Sequence, residues 1–106
     1  MKADRHLEAA LTVDVLERAA MVLRQLAHPH RLRIVECLES RGASPVYALM
    51  EHLGLTQVAT SQHLTVMKRA GIVHAVRHGR EVWYEIADPR SVAVLHCIRK
   101  QQEART

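Results

Sequence analysis

His52-Leu53-Gly54-Leu55-Thr56-Gln57-Val58-Ala59-Thr60-Ser61-Gln62-His63-Leu64 decides the fold. It reads as the end of one helix, a turn carrying a glycine, and the start of a second helix. Thr56 is placed to cap the second helix, because a threonine oxygen at that position accepts an otherwise unpaired backbone N–H. Helical spacing puts Thr60, Leu64 and Met67 on one buried stripe. Gln57, Val58, Ser61 and Gln62 then point outward, close to the positive end of the helix dipole. One short helix bracing another whose first residues are exposed is the geometry that reads base edges in the major groove of DNA. Gln suits adenine, and the Val58 methyls suit the methyl of thymine. Thr56, Ser61 and His63 suit phosphate contacts, which set register without reading sequence. Each also has a plainer role: Thr56 as a cap, Ser61 as a small packing residue, Lys68 as a solvated charge.

Working outward, proline and glycine punctuate the chain. Pro29, Pro45 and Pro89 each stand where a helix can begin; Ser44 and Asp88 precede the last two as N-caps. Gly42, Gly54, Gly71 and Gly79 fall at the ends of periodic segments, where positive φ is useful. Five helices are predicted: about Leu7–Ala27, Pro29–Ser40, Pro45–Leu53, Thr56 to Gly71, and Asp88-Pro89 to about Gln102. Between the fourth and fifth, Ile72–Arg77 and Arg80–Ala87 alternate apolar and polar residues around His78-Gly79, as a two-residue hairpin does. The expectation is one α+β, mostly helical domain over 1–106: a winged helix-turn-helix of five helices and a two-stranded hairpin wing. At the wing tip, Arg77, His78 and Arg80 could enter the minor groove or grip the backbone.

Charge points the same way. The chain carries a net +4, and from His52 to Arg80 it has no Asp or Glu while holding Lys68, Arg69, Arg77 and Arg80. The Lys and Arg outside that segment are balanced by the acids, so the whole excess resides in it. A contiguous acid-free, base-bearing stretch suits a polyanion, here double-stranded DNA. A protein-interaction module that kept the fold and lost DNA binding is the alternative, although such a surface has no need to exclude acids. An enzyme is excluded: Ser61 and His63 diverge on a helix, and no oxyanion loop or paired carboxylates appear.

With no Phe among 106 residues, the core must be aliphatic. No apolar run approaches the ~18 residues that cross a bilayer, and the charged start MKADRHLEAAL is unlike a signal peptide; a cytoplasmic protein without membrane contact is expected. The first helix has two apolar stripes, Leu11-Val15-Ala19-Val22-Leu26 and Leu16-Ala20-Leu23-Ala27. The fifth, through Val92–Ile98, is nearly apolar all round. Helices greasy on two faces need cover on two faces, and a second copy of the chain is favoured over a central core position.

Leu26-Ala27-His28-Pro29-His30-Arg31-Leu32-Arg33-Ile34, the LGLTQVATSQHL block, the Met67–Val73 junction and Arg77–Tyr84 together resemble the ArsR/SmtB family of winged helix-turn-helix repressors. The resemblance covers about Leu16 to Cys97. It implies a homodimer through the first and last helices, a wing at His78-Gly79, and recognition by the fourth helix. Val58 and Gln62 depart from residues frequent in the family, which leaves the operator sequence open.

The resemblance also frames the effector. Family members hold metal through a cysteine-rich stretch at the third helix or a set on the last helix. Ser44–Leu49 contains no cysteine, and Asp88, His96 and Glu103 are spaced differently, so metal is disfavoured. Other members sense oxidants or sulfur species with one thiol in the second helix and one in the last. Cys37 and Cys97 occupy those helices, with His96 beside Cys97. Reversible cysteine modification is therefore preferred to a metal ion, against the plainer reading of Cys37 as a small core hydrophobe.

Overall fold

The computed structural model describes residues 10–105. Helix α1 spans Val13–Leu26. The expected start at Leu7 lies outside the described residues. Residues 10–12 are not helical, and Thr12, extended at φ −76°, fixes the start by accepting the Val15 N–H through Oγ1 at 3.2 Å. Helix α2 follows at Pro29–Arg41. Its cap is His28, whose Nδ1 accepts the His30 N–H at 3.1 Å.

The third segment departs from expectation. Ser44 does not cap a helix. Ser44–Pro45 forms a short strand, β1, and helix α3 runs Val46–Leu53 behind it. The Ser44 hydroxyl donates to the Gly42 carbonyl at 3.0 Å instead. Both residues are buried, and an edge position tolerates proline, which has no N–H to offer the sheet. Helix α4 is Gln57–Arg69, strands β2 and β3 are Val73–His78 and Glu81–Ile86, and helix α5 is Pro89–Arg105. Helix α5 therefore runs past Gln102. Asp88 caps it by accepting the Arg90 N–H at 2.9 Å.

The sheet has three antiparallel strands in the order β1-β3-β2, with Pro45 opposite Trp83 and Val76 opposite Trp83 on the other side. The hairpin register is one residue off the expected one. His78 pairs with Glu81, so the turn is Gly79-Arg80, not His78-Gly79. Gly79 has φ +63°, and no residue other than glycine has positive φ among the described residues. The one glycine takes the first turn position, where a II′ hairpin demands it, and His78 stays in the strand.

The core is aliphatic, as the absence of Phe requires. Leu26 from α1, Ile34, Val35 and Leu38 from α2, Leu49 from α3, Leu64 and Met67 from α4, Val73 from β2 and Leu95 from α5 meet there. The Ile72 carbonyl accepts from both Ala87 and Asp88 N–H groups, at 2.9 and 3.2 Å, tying the base of the wing to the start of α5. Among the described residues no helix is long and apolar enough to cross a membrane.

Candidate nucleic-acid interface

The turn between α3 and α4 is built from the quoted residues. Gly54, left-handed at φ 66° and ψ 33°, closes α3 by donating its N–H to the Met50 carbonyl at 2.8 Å. Thr56 then caps α4 by accepting the Ala59 N–H at 3.2 Å. Its own carbonyl accepts from the Thr60 hydroxyl at 2.9 Å. Thr60, Leu64 and Met67 are completely buried, so the back of α4 is fixed to the core and its front is defined.

That front carries the sequence-predicted residues. Gln57, Val58 and Gln62 are exposed and Ser61 is half-buried. With them, Thr65, Val66 and Arg69 line one shallow groove along the helix. Sequence reasoning left Thr65 and Arg69 out of this set. The spacing 58-62-65-69 was the signal, since steps of four and three stay on one helix face. Lys68 is exposed on the last turn, about 16 Å from Gln57 at ~1.5 Å per residue, at the far end of the same helix.

The wing supplies a second exposed basic element. Arg77, His78 and Arg80 are all exposed around the Gly79 turn. The His78 ring stacks on Trp83, with centroids 4.6 Å apart and planes 18° from parallel. That stacking holds the tip side chain in place. Glu81, on the other side of the turn, is the first acid after the basic segment.

His63 does not stand outward with the other expected contacts. It is half-buried, and its Nδ1 accepts from Arg31 Nε at 3.1 Å. Burial, followed by His28, Arg31 and His30, holds its pKa below the ordinary imidazole value. His28 and His30, two apart and so not expected on one face, are brought together because His28 is an extended cap rather than a helical residue. Their centroids are 5.3 Å apart.

The two thiols face different sides of the subunit. Cys37 is buried in the core, and burial raises its pKa first, Glu36 second. Cys97 is exposed. On α5, Leu95 is buried and Arg99 donates to Glu39 of α2 at 2.7 Å, which fixes the face turned to the subunit. Cys97 follows Leu95 by two residues, about 200° around the helix. A direct bridge needs Cα atoms within about 7 Å and facing Cβ vectors, and α5 presents its thiol away from α2. Within one chain, then, this geometry does not present Cys97 to Cys37. His96 lies against Glu39 as well, with Nε2 3.2 Å from Oε2. The Glu39 carboxyl is held below its usual range, chiefly by its hydrogen bond from Arg99. No group of three or more His, Cys, Asp or Glu among the described residues is arranged to hold a metal ion.

The family described as bacterial regulatory protein, arsR family, matches residues 28–75. Over 81 residues the sequence is 41% identical to an HTH-type transcriptional regulator of Mycobacterium tuberculosis, spanning 76% of this chain and 71% of that protein. The crystal structure of the transcriptional repressor PagR of Bacillus anthracis superposes with a TM-score of 0.76 at 32% identity, over 82% of this chain and 99% of the other. The homodimeric winged helix-turn-helix DNA-binding domain of a Mycobacterium bovis protein, described as a possible ArsR-family transcriptional regulator, gives a TM-score of 0.75 at 25% identity over 92% of each.

Proposed function

The chain belongs to the arsR family of bacterial regulatory proteins, a family of transcriptional regulators and not of enzymes, and from that premise we propose that it is a homodimeric, sequence-specific DNA-binding repressor with one winged domain per subunit. The carrying observation is the front of α4. Gln57, Val58 and Gln62 stand exposed beside the half-buried Ser61 over a buried back, with the exposed Arg77, His78 and Arg80 of the wing as a second basic element and no acid from His52 to Arg80. Gln57 and Gln62 read bases. Thr56 and Ser61 hydroxyls, Lys68 and the wing arginines hold phosphates, which contribute affinity without sequence information. His63, committed to Arg31, acts on the interface through the position of α4.

The second copy is supported by α1. Leu16, Ala20, Leu23 and Ala27 of its second stripe are all exposed, and so are Leu11 and Val15 of the first. Only Val22 and Leu26 are buried on that helix. The described chain has a radius of gyration of 16.4 Å, against about 13 Å for a compact domain of this length. A two-fold pairing of α1 with α1, joined by the free faces of α5, covers these residues and places two α4 helices on one duplex.

For the effector, thiol chemistry is retained over metal, and it rests on Cys97, the thiol exposed on the single subunit. An α5 thiol at a two-fold interface couples its chemistry to the spacing of the two α4 helices.

The test is a binding titration against the DNA upstream of the gene, with random duplex beside it, under reducing, oxidising and persulfidating conditions. Affinity is expected to fall steeply with salt, because each neutralised phosphate releases counterions. Gln62→Ala should cost roughly tenfold on the cognate sequence and little on random DNA, while Arg80→Ala should weaken both alike. Equal binding of cognate and random DNA by every variant would sink the base-reading assignment.

A further inference from the structure

Three imidazoles and a guanidinium meet where the start of α2 touches α4. The His63 ring centroid lies 4.5 Å from that of His28 and 5.8 Å from that of His30. Arg31 Nε donates to His63 Nδ1 at 3.1 Å. Arg31 Nη1 reaches α1, donating to the Gln25 carbonyl at 3.2 Å and to Gln25 Oε1 at 3.0 Å. Two of the three histidines thus act as acceptors through Nδ1: His63 for Arg31, and His28 for the His30 N–H that begins α2. An imidazole accepts only when neutral, since the protonated ring has donors at both nitrogens.

We infer that this cluster is a proton-operated latch on α4, closed while the imidazoles are neutral and released in acid, so that acidification weakens DNA binding. The inference rests on the reading of α4 as the DNA-contacting helix. Protonating His63 would set an N–H against the Arg31 N–H and a second cation against the guanidinium. Protonating His28 would remove the cap of α2. Both charges would also face the positive end of the α2 dipole. The groups facing His63 are His28, His30 and Arg31 from α2, while α1 brings the neutral Gln25. Arg69, farther along α4, shares the α1–α4 crevice with Gln25. The charges acting on His63 are all basic, so protonation meets repulsion.

The lowered pKa of His63 gives the direction on stability. A histidine whose folded value lies below its ordinary one contributes stability that is complete above the ordinary value of 6.5. That contribution is lost as pH falls below it toward the folded value. Positive charge gained in acid on the DNA-facing surface works oppositely, because it adds charge near phosphate.

Operator binding by the parent and by His63→Asn, compared at about pH 8 and about pH 5.5 at constant ionic strength, separates the two effects. Asn keeps an acceptor near the Nδ1 position and does not titrate. The parent should lose roughly tenfold affinity on acidification, whereas His63→Asn should lose clearly less. Equal pH dependence in the two proteins would overturn the latch. A readout on the free parent needs neither variant nor DNA: the His63 ring signals should titrate below the ordinary value, and α4 amide exchange should speed up across the same pH range. An ordinary titration of His63 with unchanged α4 protection would also overturn it. Failure of the parent to bind DNA at about pH 8 would instead count against the functional reading, leaving the latch to be decided on the free protein.

Discussion

Helices α1 and α4 both show solvent a long side, and the two sides are opposite in kind. Helix α4 exposes Gln57, Gln62, Thr65 and Arg69 while burying Thr60, Leu64 and Met67. Helix α1 exposes Val13, Leu16, Met21 and Leu23 and buries little beyond Val22 and Leu26. A polar exposed face costs nothing in water and can exchange its solvation for phosphates and base edges. An apolar exposed face of this length is a standing cost that a second apolar face removes. On the proposed function, the contrast matches each helix to a different class of partner: a polyanion for α4, a copy of the chain for α1.

The largest effect should come from breaking the α1 side. Leu16→Asp with Leu23→Asp places two charges in the proposed two-fold interface, which should weaken dimerisation by at least ~100-fold, as the loss of two interface anchors does. Sedimentation at a concentration where the parent is dimeric would show a monomer, with operator binding falling alongside. If the double variant remained a dimer, α1 would be exposed for another reason.

On the α4 side, the back of the helix outweighs its front in stability. Leu64 is fully buried, and Leu64→Ala should cost about 3 kcal/mol in urea unfolding, from lost transfer energy plus the cavity left behind. A loss under about 1 kcal/mol would mean that α4 is not anchored where the core places it. The smallest effect expected is from Thr56→Ala, which removes the oxygen that accepts the Ala59 N–H. That change should cost about 1 kcal/mol of stability. If operator affinity also dropped beyond what lost stability explains, the Thr56 hydroxyl would be holding a phosphate as well as capping.

Much of this was legible in local signals. Thr56 before Gln57, Gly54 after Leu53 and Asp88 before Pro89 each combine a cap with a breaker, and the structure starts or ends helices there. The buried stripe of α4 followed from helical spacing alone. Local signals failed where a long-range partner set the outcome. Ser44-Pro45 looks like a helix start, yet β3 recruits the pair as an edge strand, because Trp83 and Tyr84 lie opposite. His78-Gly79 looks like a turn, yet positive φ is required of one residue only, so the register slides by one. The relation between the two thiols was left open for a similar reason. That Cys37 and Cys97 sit on α2 and α5 was readable, but which side of α5 meets α2 depends on Leu95 and the Arg99–Glu39 contact.

The sequence by itself determined the order of the five helices and the β2–β3 hairpin, the helix ends marked by Thr56, Gly54 and Asp88, the aliphatic core and the placement of all net charge in one segment. These depend on side-chain chemistry within a few residues, and periodicity reports them directly. Tertiary structure alone decided that His63 turns inward to Arg31 and His28, that β1 joins the wing, and that Cys97 faces away from Cys37. Those outcomes depend on the rotation of one element against another, which packing sets between residues far apart in the chain.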